Sequence, residues 1–131
     1  MLIEDDALLD KLFQTAHIIS VHAEGDAVEK ALFFARKQKK KLYLCHISQE
    51  EEIIAIKKAK ATGQTVFAEA CPHHVLFNDA DQTELLIMKP NLRSERNRQQ
   101  LLNAIDEGAI DTWGTDHAPH LESEKDRKSV V

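Results

Sequence analysis

The sequence contains few of the residues that mark several specialised protein classes. It has two cysteines, four glycines, three prolines and one tryptophan among 131 residues. Cys45 and Cys71 each lie in an apolar run, which favours buried thiols over a disulfide. With 43% hydrophobic and 30% charged residues, the composition is neither collagen-like nor strongly disordered. We therefore expect a single folded domain, residues 1–131, with a hydrophobic core.

Long apolar runs and an excess of basic residues are also missing. No stretch reaches the roughly 18 apolar residues that a membrane span requires. The acidic start, residues 1–6, lacks the basic region of a secretory signal. The net charge is -5, and lysines and arginines are scattered rather than gathered into one stripe. The expectation is a cytoplasmic protein that binds neither membranes nor nucleic acid.

The residues that are present alternate between two patterns. Short β-branched or aromatic runs predict strands at residues 17–23, 41–47, 65–70 and 110–115. Segments with an apolar stripe at helical spacing predict helices at about residues 6–15, 26–38, 50–62 and 94–106. Alternation of this kind is typical of an α/β protein with a parallel sheet.

Helix-terminal residues sharpen these boundaries. Ser48 and Glu51 have the spacing of a capping box for the third helix, and Gly63 is expected to end that helix. Ser94 is expected to cap the last helix, which Gly108 ends. The long irregular stretch between residues 71 and 93 is too long for a plain turn, so we expect a functional or disordered loop.

Three chemically versatile residues fall at predicted strand ends. His22, His46 and Asp116 each lie at or just past the carboxyl end of a strand, the edge where parallel α/β sheets build their sites. Two imidazoles and a carboxylate are ligands that zinc prefers, and a catalytic zinc keeps one position open for water. The sequence therefore predicts metal-assisted hydrolysis, with a carboxylate moving the proton.

One short string makes a family resemblance visible. Gly114-Thr115-Asp116-His117-Ala118-Pro119-His120 strongly resembles the last-strand motif of dihydroorotases, which are zinc-dependent cyclic amidohydrolases. Supporting strings occur in the same order at residues 21–24, 45–48, 69–74 and 88–95. The resemblance implies strands five to eight of a (β/α)₈ TIM-type barrel, here a partial one.

The resemblance also implies roles for individual residues. His22 and His46 match zinc ligands at the ends of strands five and six. Asp116 matches a residue that is both ligand and proton-transferring base, and His120 matches one that helps to hold the substrate carboxylate. Asn91 and Arg93 are further candidates for substrate binding, although Arg93 could equally make capping contacts. The implied substrate is a cyclic amide with a carboxylate, such as dihydroorotate, which is hydrolysed to carbamoyl aspartate in pyrimidine biosynthesis.

Four other side chains lie near these strings, and for three of them two roles stay open. His73 and His74 either shape the irregular loop or line the site, and the structural role is favoured. His117 is expected to brace Asp116. Glu24 either orients a ligand histidine or is a solvated loop acid.

Part of the family's ligand set does not occur in this sequence. No His-x-His string is present, and the ligand of the fourth strand would precede Met1. The family holds one or two zinc ions. Because part of the ligand set is missing here, at most a partial site is expected. An eight-stranded ring cannot close, so we expect a homodimer or pairing with a missing half. Alternatives are a non-catalytic relative that acts as a binding or assembly module, or an allantoinase or hydantoinase.

Overall fold

A computed structural model describes residues 5–119, and the sheet within them has four parallel strands. The strands are β1 (Ile18–Val21), β2 (Lys41–Leu44), β3 (Val66–Ala70) and β4 (Thr112–Trp113), paired in that order. The helices are α1 (Asp6–Gln14), α2 (Asp26–Lys37), α3 (Glu50–Ala61), α4 (Pro72–Leu76) and α5 (Glu95–Asp106). The expected α/β class with a parallel sheet is confirmed.

Helical crossovers connect the strands, as parallel pairing requires. Helix α2 joins β1 to β2, α3 joins β2 to β3, and α4 with α5 joins β3 to β4. Most of the predicted apolar stripes are buried: Val28 and Ala35 of α2 are 0% exposed, and Ile53 and Ile56 of α3 are 3% and 1% exposed. Ile54, which was expected in the stripe of α3, is 58% exposed. Burial of these stripes against the sheet, rather than helix propensity alone, supplies most of the stability of such helices.

The two faces of the sheet differ in what covers them. Every second residue of β2 and β3 points to the helical layer. Among these residues are Leu42, Leu44 and Ala68, which are almost fully buried. On the opposite face Phe67 is 37% exposed and Ile18 is 53% exposed. Within residues 5–119, the sheet therefore has one packed face and one open face.

Several local predictions need correction. The strands are shorter than expected, above all the last, which is only Thr112–Trp113. The capping box of α3 is Gln49 with Glu52, one residue later than predicted, because the carboxylate of Glu52 accepts from the backbone of both Ser48 and Gln49. The expected cap at Ser94 and the helix end at Gly63 are confirmed.

The irregular stretch is more ordered in secondary structure than the sequence suggested. It contains the short helix α4 and two 3₁₀ turns, residues 79–81 and 84–86. Proline at the first position of α4 explains why a helix begins there, because its missing N–H is not needed in the first turn. No helix in the described part of the chain is long and apolar enough to cross a membrane.

Candidate metal centre at the carboxyl edge of the sheet

Three of the predicted site residues follow the strands at one edge of the sheet. His22 comes directly after β1, His46 two residues after β2, and Asp116 three residues after β4. Two of them have left-handed backbone conformations, with φ of 43° at His46 and 47° at Asp116. Residues other than glycine rarely adopt this conformation, and such strain clusters at functional sites. The backbone at His46 and Asp116 therefore has a conformation of the kind found at functional sites.

His22 and His46 form a close pair. Nδ1 of His22 lies 2.8 Å from Nε2 of His46, and the ring centroids are 4.9 Å apart. This distance is that of a hydrogen bond, whereas two nitrogens on one tetrahedral zinc would be roughly 3.3 Å apart, given Zn–N distances of about 2.0–2.1 Å. An opening of about 0.5 Å would convert the hydrogen-bonded pair into a pair of ligands to one ion.

The environment of His46 keeps its ring neutral. Its side chain is buried, and burial followed by the neighbouring His22 lowers the pKa of His46. Its Nε2 is the nitrogen that faces His22, whereas its Nδ1 is buried on the other side of the ring without a hydrogen-bond partner. A neutral imidazole has a lone pair available, and a metal ligand must be unprotonated. The two histidines therefore fit the donor set that a zinc ion requires.

Asp116 lies near this pair without touching both of its members. Its charge raises the pKa of His46, which partly opposes the effect of burial. Yet the ligand atoms of His22, His46 and Asp116 do not all approach within 4.8 Å of one another in the described residues. The structure thus brings the two histidines together and places the exposed carboxylate of Asp116 at the same edge. Assignment of all three as ligands stays a prediction.

Glu52, which the sequence did not single out, holds the two histidine loops together. Its carboxylate is 2% exposed and accepts hydrogen bonds from the backbone N–H of Gly25 at 2.7 Å, of Ser48 at 2.9 Å and of Gln49 at 3.0 Å. Gly25 follows His22 by three residues and Ser48 follows His46 by two. The sequence carries no signal for this role, because the burial of Glu52, which is rare for an unpaired glutamate, is visible only in the structure.

Glu69 lies beneath the same edge, on the open face of the sheet. Its Oε2 accepts from the hydroxyl of Tyr43 at 2.5 Å, and its Oε1 accepts from the backbone N–H of His46 at 3.4 Å. The carboxylate rests against Gly114, where an added Cβ would lie 2.2 Å from Cδ of Glu69. The glycine that begins the last-strand motif leaves room for this carboxylate, which an added Cβ would displace.

Arg93 links two loops of the edge. Its guanidinium donates to Glu24 at 2.8 Å and to the hydroxyl of Ser48 at 3.3 Å, and both partners lie close to the predicted ligands in sequence. Glu24 is thus an ion-pair partner rather than a solvated acid. Asn91 is exposed, and so is His117. His120 lies outside the described residues.

A second group of ligand-type side chains lies in the segment after β3. Cys71, His73 and His74 each place one ligand atom within 4.8 Å of the others, and within residues 5–119 they are the single set of three or more that does so. His74 is 3% exposed and its Nε2 lies 3.0 Å from the carbonyl oxygen of Pro90. That contact supports a structural role for His74, as the sequence favoured, and leaves its other nitrogen free.

Comparison with solved structures identifies the class of the fold. The chain superposes on D-hydantoinase (dihydropyrimidinase) from Thermus sp. with a TM-score of 0.85, covering 92% of this chain and 35% of that one, at 22% sequence identity. Together with its parallel strand order, this match defines an α/β chain with the fold of part of a TIM-type barrel.

Sequence comparison finds relatives at higher identity than these solved structures. The chain is 44% identical over 88 residues to the dihydroorotase of Macrococcus caseolyticus, covering 65% of this chain and 21% of that protein. It is 38% identical over 106 residues to the dihydroorotase of Lactiplantibacillus plantarum, covering 79% and 25%. No family model matches. The chain is similar to one part of these dihydroorotases, and it spans about a fifth to a quarter of their length.

Proposed function

We propose that this chain supplies metal-binding and proton-transferring residues to a dihydroorotase-type site that hydrolyses a cyclic amide carrying a carboxylate. The observation that carries the proposal is the His22–His46 pair, 2.8 Å apart at the carboxyl edge of the sheet, with Asp116 at the same edge. Similarity to two dihydroorotases supports dihydroorotate as the substrate and pyrimidine biosynthesis as its setting. The cytoplasmic location expected from the sequence stays a prediction.

The residues proposed to hold zinc are His22 and His46, with Asp116 as a further ligand. When bound, zinc would lower the pKa of a water molecule towards neutrality and polarise the substrate carbonyl. Two features of the chain favour zinc binding. Burial lowers the pKa of His46 and so favours its neutral ring, and Glu52 fixes both histidine loops. A ligand held by a buried hydrogen-bond network is better oriented than one on a free loop.

Proton transfer is assigned to Asp116. Its carboxylate is exposed to the site edge, so it can accept a proton from the attacking water and deliver it to the leaving amide nitrogen. The left-handed backbone at Asp116 supports this role, because an unusual conformation persists only where the surrounding structure maintains it.

Binding of the substrate carboxylate is assigned to Arg93, with Asn91 and His120 as further candidates. Arg93 already spans Glu24 and Ser48 next to the histidine loops, and its guanidinium has five N–H donors, of which these contacts use only part. A fork of this geometry suits bidentate recognition of a carboxylate. Asn91 is exposed two residues before it.

The remainder of the ring is proposed to come from another polypeptide segment or from a second copy of this chain. The open face of the sheet carries Ile18 and Phe67, and no His-x-His string occurs in the 131 residues. An uncovered face with free strand edges favours association. Packing of further strands against this face would bury both side chains. A different segment would also bring in the missing ligands, which a second copy of this chain does not have.

A chimera tests the proposal. The chain replaces the aligned segment of the Macrococcus caseolyticus dihydroorotase, and hydrolysis of dihydroorotate is measured with zinc present, with hydantoin as a second substrate. We expect dihydroorotate turnover, reduced by about 10² to 10⁴ in kcat on Asp116→Asn and abolished on His46→Asn. The matched control His17→Asn changes an exposed histidine away from the edge and should have no effect.

Three outcomes would contradict parts of the proposal. A folded chimera without turnover would overturn the assigned reaction, and preference for hydantoin would overturn the substrate. Turnover by the unassisted 131-residue chain, if it were monomeric by light scattering, would overturn the shared site.

A further inference from the structure

The group formed by Cys71, His73 and His74 has the composition and compactness of a metal site that shares no residue with the pair described above. One ligand atom from each of the three lies within 4.8 Å of the others. A thiol and two imidazoles are soft and borderline ligands, which favour zinc over magnesium or calcium. Cys71 is 0% exposed, so the thiol is not placed for chemistry with solvent.

The hydrogen bond of the His74 ring determines which of its two nitrogens is free to bind a metal ion. Nε2 lies 3.0 Å from the carbonyl oxygen of Pro90, and a carbonyl only accepts, so Nε2 carries the proton and donates it. Nδ1 is then unprotonated in the neutral ring. That atom is buried and has no hydrogen-bond partner. A histidine whose one nitrogen donates to a backbone carbonyl while the other is free has the arrangement typical of metal ligands.

The surrounding charge favours a cation. Asp116 and Glu69 are both close enough to raise the pKa of the Cys71 thiol through their negative charge, in addition to burial, which is the larger cause. Burial lowers the pKa of His73, and the negative charge of Asp116 opposes this effect. A bound divalent cation would interact favourably with both carboxylates, and its attraction for the thiolate outweighs the tendency of the thiol to stay protonated.

The backbone already holds the three residues in one turn. Cys71 is the residue before α4, and its carbonyl accepts from the backbone N–H of His74 at 3.1 Å. The rings of His73 and His74 meet edge to face with centroids 4.3 Å apart. Ligand atoms around one zinc lie roughly 3.3–3.8 Å apart, from bond lengths of about 2.0–2.3 Å. Ligand atoms within 4.8 Å of one another therefore have at most about 1.5 Å to close on metal binding.

We propose that Cys71, His73 and His74 form a zinc site in which one thiolate and two imidazoles bind the ion and a fourth position remains open. On binding, the Cys71 S–H bond breaks, the sulfur electron pair forms the bond to zinc, and the proton leaves to the buffer. No oxidant or reductant takes part. Zinc binding at this site does not require hydrolytic activity from the chain. The site can therefore be tested independently of the proposed function.

Cobalt spectroscopy on the full 131-residue chain tests the site. Co²⁺ is added to the metal-free protein as a probe for zinc, and the near-ultraviolet band from thiolate-to-cobalt charge transfer is recorded. The band is expected in the wild type, lost in Cys71→Ser and retained in Cys45→Ser. Cys45 is the matched control, because it is the second buried cysteine and adjoins His46. His74→Gln is expected to weaken Co²⁺ binding at least tenfold, since even residues that only orient a ligand cost about 10- to 100-fold.

If Cys71→Ser does not fold, nitrogen NMR of the imidazole rings in the wild-type chain tests the site instead. In the wild-type chain, added Zn²⁺ should shift the ring nitrogens of both His73 and His74, with the larger change at Nδ1 of His74. A charge-transfer band that depends on Cys45 instead of Cys71 would overturn the proposal. So would the absence of any band together with unshifted His73 and His74 rings.

Discussion

The molecule contains two histidine pairs that are built in opposite ways. His22 and His46 come from two neighbouring strands, 24 residues apart, and meet through a hydrogen bond between their rings. His73 and His74 are adjacent in sequence and meet edge to face within one helical turn. The first pair is positioned by tertiary structure, through Glu52 and the strand register, and the second by local backbone. Disturbing the tertiary network should therefore affect only the first pair.

The largest expected effect comes from removing the carboxylate of Glu52. In Glu52→Ala, three backbone N–H groups lose their acceptor, at roughly 1–3 kcal/mol each before water enters the cavity, so the free energy of unfolding should fall by about 4 kcal/mol. Urea unfolding measures this. Long-range NMR of the ring nitrogens should show the His22–His46 contact disturbed and the His73–His74 rings unchanged.

The neighbouring Glu51 provides a control for this experiment. It is exposed in the same first turn of α3, and Glu51→Ala should change stability by less than about 0.5 kcal/mol. An equal loss in both variants would mean that helix charge, rather than the buried acceptor, explains the effect.

A smaller effect is expected from the acid titration of the second pair. Burial lowers the pKa of His74 from 6.5 to about 4. Between these values the unfolded chain binds a proton that the native chain does not, so stability is fully present above about pH 6.5 and is lost as the pH falls towards 4. The contribution is about 3 kcal/mol. Unfolding in chelator-containing buffers across this range should show it.

Substitutions separate the contributions of the two pairs to this pH dependence. His74→Gln keeps an amide donor for Pro90 and should flatten the profile most. His46→Gln should also flatten it, since burial lowers the pKa of His46 as well. The exposed control His17→Gln should leave the slope unchanged. A profile unaffected by His74→Gln would contradict the assignment.

The smallest expected effect concerns Glu69, which lies between the pairs. In Gly114→Ala the new Cβ displaces the carboxylate of Glu69 and weakens its hydrogen bond from Tyr43, at a cost of about 1 kcal/mol. The same substitution in a Tyr43→Phe background should cost less, because that bond is already gone. Additive losses in a double-mutant cycle would show that the glycine acts through another contact.

The sequence predicted what depends on periodicity and strand ends. Apolar stripes identified α2 and α3, and the strand ends placed His22 and His46 at one edge, because parallel strands share their carboxyl side. It did not identify Glu52, whose role arises from backbone groups of two separate loops. It also assigned the capping box to Ser48 and Glu51, because their spacing is as suitable as that of Gln49 and Glu52. Competition between adjacent registers is decided by packing, which a single sequence does not display.

The left-handed backbone at His46 and Asp116 has a consequence for which substitutions each position tolerates. Glycine would relax the backbone at both, asparagine would be accepted with little strain, and β-branched residues would be excluded on steric grounds. Selection for stability alone would thus favour glycine where the proposed metal chemistry requires histidine and aspartate. In a saturation library scored for folding, these two positions should be recognisable as places where the most stable residue is not the native one.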